Sequence, residues 1–211
     1  MLRSVALPVG IGFVFLLSLA VPEEAPAQRW LQTAQLEVEL KNEEPGRVLL
    51  DSLTSVLARR DSLMVARRPE GEERAFSDLK ERLIEEDSIG VSSASHVLID
   101  YQFEIENRGF EESIESFQFV YRKSQGQTKI PLLYVNGQAS WVRALLKTPS
   151  HAFPTGGSCV PPKTFSMVLP FPQMYRDGKI TKISGNDVRD GFERKKRKVA
   201  KKIQRLYYMS M

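Results

Sequence analysis

VLIDYQFEIENRGFEESIESFQFVY, residues 97–121, is the stretch whose reading decides the fold. Ile99, Tyr101, Phe103 and Ile105 alternate with Asp100, Gln102, Glu104 and Glu106, the period of two expected of a strand buried on one face and wet on the other. Asn107, Arg108 and Gly109 supply turn residues, and the return strand sets Phe117, Phe119 and Tyr121 on one face. These aromatics are expected opposite Tyr101 and Phe103, in cross-strand pairs worth roughly 0.2–1 kcal/mol each. The pattern specifies a scaffold and carries no chemistry.

Downstream, residues 129–135 (KIPLLYV) form an apolar run suited to an inner strand, with Pro131 holding its first residues to an edge. Asn136-Gly137 is a hairpin signal, so residues 138–142 are expected to return beside that strand, anchored by Trp141. Residues 143–147 fit either a helix or a longer strand. Residues 151–163 (HAFPTGGSCVPPK) read as a loop and residues 164–169 (TFSMVL) as a further strand. Asp177-Gly178 reads as a turn between residues 173–176 and 179–184. Tight links of this kind predict a mostly antiparallel sheet of about five to seven strands over residues 90–185.

Upstream, residues 45–89 read as a helical hairpin. Val48, Leu49, Leu53, Val56, Leu57 and Met64 keep a helical spacing over residues 45–68, with Pro45 in the first turn. After Pro69, Glu70 and Gly71 break the pattern, Phe76, Leu79, Leu83 and Ile84 resume it over residues 72–89. Residues 28–44 read as an N-terminal arm or short strand, because Leu36, Val38 and Leu40 alternate with Glu37, Glu39 and Lys41.

Before these lies the segment that speaks to location. Arg3, the apolar run of residues 5–21 and Ala25-Pro26-Ala27 have the order of a secretory signal peptide over residues 1–27, cut after Ala27. The competing reading is an uncleaved membrane anchor, against which Pro8, Gly10 and Gly12 interrupt a run shorter than the ~20 residues of a spanning helix. Export to a periplasmic or extracellular space is the expectation. Cys159 is the only cysteine, so no internal disulfide forms and the thiol is buried, idle or paired between chains. At 211 residues and 42% hydrophobic, the chain has enough apolar material for a core held by packing alone.

Candidate chemistry is sparse. Gly-Gly-Ser-Cys with His151 eight residues before Cys159 offers a thiol, an imidazole and backbone N–H donors, the parts of a cysteine-dependent hydrolase or transferase. Its flanks match no cysteine-protease signature, and a Gly/Pro-rich loop that happens to hold a Cys is the plainer account. Two His and one Cys show no metal-ligand spacing, and phosphate-loop and dinucleotide fingerprints are missing, so no metal and no cofactor is expected. Glu104, Glu106, Glu111, Glu112 and Glu115 read as a solvated edge that resists aggregation.

The stronger candidate is the C-terminal helix expected over residues 186–211, with Asn186 or Asp187 as its cap. Arg194, Lys195, Lys196, Arg197, Lys198, Lys201, Lys202 and Arg205 surround a narrow apolar stripe of Phe192, Val199, Ile203 and Leu206. The plain alternative is a terminal helix that packs its stripe and solvates its charges. Charge is also segregated along the chain. Residues 28–128 hold 13 Lys and Arg against 20 Asp and Glu, a net of −7, and residues 129–211 hold 16 against 4, a net of +12. Such asymmetry is an argument about partners.

The fold expected is therefore α+β: a helical hairpin, a mostly antiparallel sheet and a basic amphipathic C-terminal helix. The function expected is that of an exported, non-catalytic protein of the cell envelope, a binding or assembly accessory. Its basic helix would meet an anionic membrane surface, an anionic polymer or an acidic envelope protein. Self-association of the oppositely charged halves is a further partner reading, and export disfavours nucleic acid. The competing enzyme reading rests on Cys159 and His151.

Overall fold

The computed structural model describes residues 30–106, 109–122, 128–150, 153, 162–184, 186–187 and 193–210. In chain order these form β1 (Trp30–Glu39), α1 (Pro45–Ala58), β2 (Met64–Val65), β3 (Arg74–Ala75), α2 (Phe76–Asp87), β4 (His96–Glu106), β5 (Gly109–Tyr121) and β6 (Ile130–Asn136). There follow α3 (Ser140–Lys147), α4 (Phe165–Val168), α5 (Phe171–Met174), β7 (Gly178–Ile183), β8 (Asn186–Asp187) and α6 (Glu193–Ser210). The fold is α+β. One antiparallel sheet runs in the order β6-β5-β4-β1-β7-β8, five full strands extended by the two-residue β8, and β2 pairs separately with β3. Among the described residues no helix is long and apolar enough to cross a membrane.

The alternation in residues 97–105 is realised as β4, with Val97, Ile99, Tyr101 and Phe103 fully buried. They join Leu36 and Ile180 from neighbouring strands, Leu49, Leu53 and Leu57 from α1, Leu79 and Leu83 from α2, and Ile203 from α6 in one apolar core. The opposite face of the sheet carries a polar ladder. Gln35 Nε2 donates to Asp100 Oδ1 (2.9 Å), Ser116 Oγ to Asp100 Oδ2 (2.6 Å) and Thr181 Oγ1 to Gln35 Oε1 (2.9 Å), which satisfies groups held mid-sheet. Beside it, Arg122 and Lys129 each reach within 2.9 Å of the largely buried Glu37 carboxylate.

Several expectations are corrected. The segment read as an N-terminal arm or short strand is the ten-residue strand β1, and it lies inside the sheet and not at its margin, because paired positions from Trp30↔Ile105 to Glu39↔His96 tie it to β4 while β7 pairs its other side. The first helix of the hairpin stops at Ala58. Its apolar row lapses after Leu57 into Arg59, Arg60 and Asp61, and the chain runs extended so that Ala66 accepts the Tyr134 N–H on β6. Met64, assigned to the helix's apolar face, is instead half-exposed on β2.

Residues 164–169, expected as a strand, instead hold the single helical turn α4. Phe165 and Leu169 are buried while Met167 between them is exposed, and Leu169 N–H donates to Phe165 C=O, a pattern that serves a helix and not a strand, whose same face would carry all three. The strand expected at residues 173–176 is likewise the end of α5 and the turn after it. Asn186 and Asp187, expected to cap the last helix, pair with β7 instead.

Asn136-Gly137 opens no hairpin. Asn136 Oδ1 accepts the Gln138 N–H (2.8 Å) in an Asx turn that leads into α3, and Trp141 lies half-buried on that helix. Gly137 donates its N–H to Glu115 C=O, and a Cβ there would sit 2.4 Å from the Ile114 carbonyl oxygen. Gly137→Ala is therefore expected to cost about 1–3 kcal/mol by overpacking against backbone. It should be read as a lower urea midpoint with an unchanged slope.

Candidate functional site

Helix α6 sits on the fold by one row of side chains. Lys196, Ala200 and Ile203 are spaced by four and three residues and are all buried. The apolar stripe expected from the sequence lies one row away, with Ile203 at its centre and Val199 and Leu206 half-buried; Phe192 is outside the described residues. The reason is Lys196. It was expected among the solvent-facing cations, but only 3% of it is exposed, its aliphatic stem packs in the row, and its Nζ donates to Glu193 Oε1 (2.9 Å) one turn earlier.

The remaining basic residues divide in two. Lys202 places Nζ 4.0 Å from the ring centroid of Trp30, a cation–π contact that ties the helix to the start of β1. Arg194, Lys195, Arg197, Lys198, Lys201 and Arg205 are exposed, and among the described residues no carboxylate pairs with them. They form a cationic ridge along the outer side of a helix fixed from within. His151 and Cys159, the candidate imidazole and thiol, lie outside the described residues.

The far end of α6 covers a second feature. Tyr207 and Ser210 line one side of an open cavity of 530 Å³ whose other walls come from β5, α3 and the Ser166–Pro170 region. Glu112, expected on a solvated edge, is among its lining residues. A β-bulge in β5 opposite the Asp100/Tyr101 step changes the parity of the strand. Ser116 pairs with Asp100 but Ile114 pairs with Tyr101, so Glu112 falls opposite Phe103 on the core side. The same register sets Phe117 and Phe119 opposite Ile99 and Val97, not opposite Tyr101 and Phe103 as expected.

A signal for this was present. Apolar residues occupy 110 and 114 before the bulge and 117 and 119 after it, so the buried side switches from even to odd positions. Glu112 is the even residue between them.

Its carboxyl is unusual in two respects. One oxygen, Oε1, accepts the backbone N–H of Phe171 (2.7 Å), while Oε2 is sealed from solvent with no hydrogen-bond partner. Burial raises the carboxyl from its ordinary 4.5 to about 7, against the opposing pull of the Phe171 N–H. The Glu112 charge in turn adds to burial in raising Tyr101 and Tyr207. Tyr101 keeps its proton and donates it to Leu169 C=O (2.7 Å).

On the opposite sheet face, burial lowers His96 despite the nearby Glu37 carboxylate, and Ser95 Oγ lies 2.9 Å from its Nδ1. Glu37 there pairs with Arg122 and Lys129 at 2.9 Å, while its Oε1 and the Arg122 Nε are buried without a hydrogen bond. No known family model matches this chain, and no curated protein is significantly similar to it in sequence.

Proposed function

We propose that this chain is an exported, non-catalytic protein of the cell envelope, an accessory that holds to an anionic surface through the exposed cations of α6. The observation that carries the reading is where those cations stand. Arg194, Lys195, Arg197 and Lys198 crowd the first turns of α6, where the helix dipole is positive and each cation is disfavoured by about 0.3–1 kcal/mol. Arg194 and Lys198, Arg197 and Lys201, and Lys201 and Arg205 are like-charged i, i+4 pairs, each adding about 0.2–0.5 kcal/mol of repulsion. An exposed arrangement that costs local stability is what a binding surface looks like.

Because the helix already buries Ala200 and Ile203 on the fold, contact is electrostatic adsorption and not insertion. The N-terminal sequence, with the order of a signal peptide, supports the envelope as the place where this happens.

The test is cosedimentation of the processed chain with vesicles of phosphatidylcholine alone or mixed with phosphatidylglycerol, beside an anionic cell-wall polymer. The comparison protein replaces Arg194, Lys195, Arg197, Lys198, Lys201 and Arg205 with Gln and keeps Lys196 and Lys202, which hold the helix down. Retention on an anionic surface is expected to fall at least tenfold in the variant and to fall with added salt, since each basic residue near such a surface contributes about 1 kcal/mol. Equal retention of both proteins would sink the proposal.

A further inference from the structure

We infer that the outer row of α6 is a track for a linear phosphate polymer without bases, laid lengthwise along Arg194, Lys198, Lys201 and Arg205. This partner narrows the anionic-surface reading and rests on it. Helix geometry makes the row. Its members are four, three and four residues apart, which keeps them within about 60° of one another around the axis. Lys196, Ala200 and Ile203, buried on the fold, lie on the opposite side of the same helix, so the cations crest its outward edge. At about 1.5 Å a residue the row is about 17 Å long, in steps of about 4.5–6 Å. All four side chains are exposed, and Glu193, the only acid in α6, is held by Lys196 instead.

A row one side chain wide favours a line over a plane. A layer of lipid headgroups touches such a row along one line only, whereas a polymer lying on it brings its charges in succession, each contact raising the local concentration of the next. Binding also frees the counterions that a densely charged chain condenses. The apolar residues of α6 that a lipid surface would take up, Ala200 and Ile203, are committed to the core. Nucleic acid is the other linear phosphate polymer, and its single strands are held by aromatic side chains set among cations. Residues 194–205 contain no aromatic; Tyr207 and Tyr208 come only after the row ends.

The test is fluorescence anisotropy of labelled glycerol phosphate oligomers of two, four and eight units, titrated with the processed chain. The octamer is expected to bind at least tenfold tighter than the dimer at low salt. Its log Kd should change with log salt with a slope of about 3, for four contacts at about 0.7 each. Lys201→Gln, in the row, should weaken the octamer at least threefold more than Lys195→Gln, which removes the same charge about a quarter turn off the row.

Phosphatidylglycerol vesicles and an oligothymidylate of eight phosphates, compared at equal phosphate concentration, should bind no tighter than the octamer. An octamer no tighter than the dimer, or Lys195→Gln as harmful as Lys201→Gln, overturns the track. So does tighter binding to the oligothymidylate or to the vesicles. In the vesicle case the anionic-surface reading stands while the polymer falls, and binding to none of these probes would end both.

Discussion

Shortening Phe171 to alanine is expected to remove about 3–5 kcal/mol of stability, the usual loss for a fully buried phenylalanine. Phe171 opens α5 with no exposed surface, and its ring meets the edges and faces of three others. It lies 5.4 Å from Tyr101 at 89° and 5.3 Å from Phe103 at 85°, and it stacks on Tyr175 at 5.5 Å and 10°. Edge-to-face pairs of this kind add roughly 0.5–1.5 kcal/mol beyond area burial, so the ring acts as a pin between the core rows of β4 and the α4–α5 corner. Since domains are stable by only about 5–15 kcal/mol, the variant should unfold at a much lower denaturant concentration. Phe171→Leu, which keeps most of the volume, should lose less than half as much. A loss below about 1 kcal/mol for the alanine variant would mean that the aromatic cluster is not packed as described.

Glu112→Gln should act in the opposite direction, and only above acid pH. The folded carboxyl sits at about 7 where the free group sits at 4.5. Between those values the folded chain keeps a proton that the unfolded chain has released, so stability falls as pH rises through the window, and the loss is complete above about pH 7. The size is on the order of 3 kcal/mol at 1.36 kcal/mol per unit. Gln has the shape of the protonated acid, keeps an acceptor for the Phe171 N–H and does not ionise. Urea unfolding at about pH 8 should therefore show the variant more stable by that order, and at about pH 4 the two proteins should coincide. A difference that does not change with pH would place the cause in packing and not in the buried charge.

These two residues also mark how far the sequence could be read. The strands at 96–106 and 109–121 were legible because alternation is a local property, and the existence of α6 was legible because its spacing is. What failed was whatever depended on a neighbour far along the chain. The β1 segment has the pattern of a strand, but its place inside the sheet is set by pairings with β4 and β7 that no local window contains. The buried row of α6 was misplaced because Lys196 packs as a stem while counting as a charge.

Glu112 was misread for a related reason: a carboxylate in an alternating strand is assigned outward, and only the bulge, visible as a change of parity between Ile114 and Phe117, turns it in. Asn136-Gly137 shows the converse. The dipeptide is a hairpin signal, yet the contact of Gly137 with the bulge and the Asx turn of Asn136 commit the chain to a helix.

The inner position of β1 has a consequence for the order of events in time. Gln35 is hydrogen-bonded to Asp100, 65 positions on, and to Thr181, 146 positions on. A chain emerging from its N-terminus therefore holds an inner strand of its sheet first and receives one flanking strand near mid-length and the other almost last. Pairings this distant must pay the entropy of closing very long loops before any contact rewards them, which makes folding slow and late. Until β7 arrives, one edge of β1 is bare, so the sheet reaches its full width only after residues 178–183 have been made.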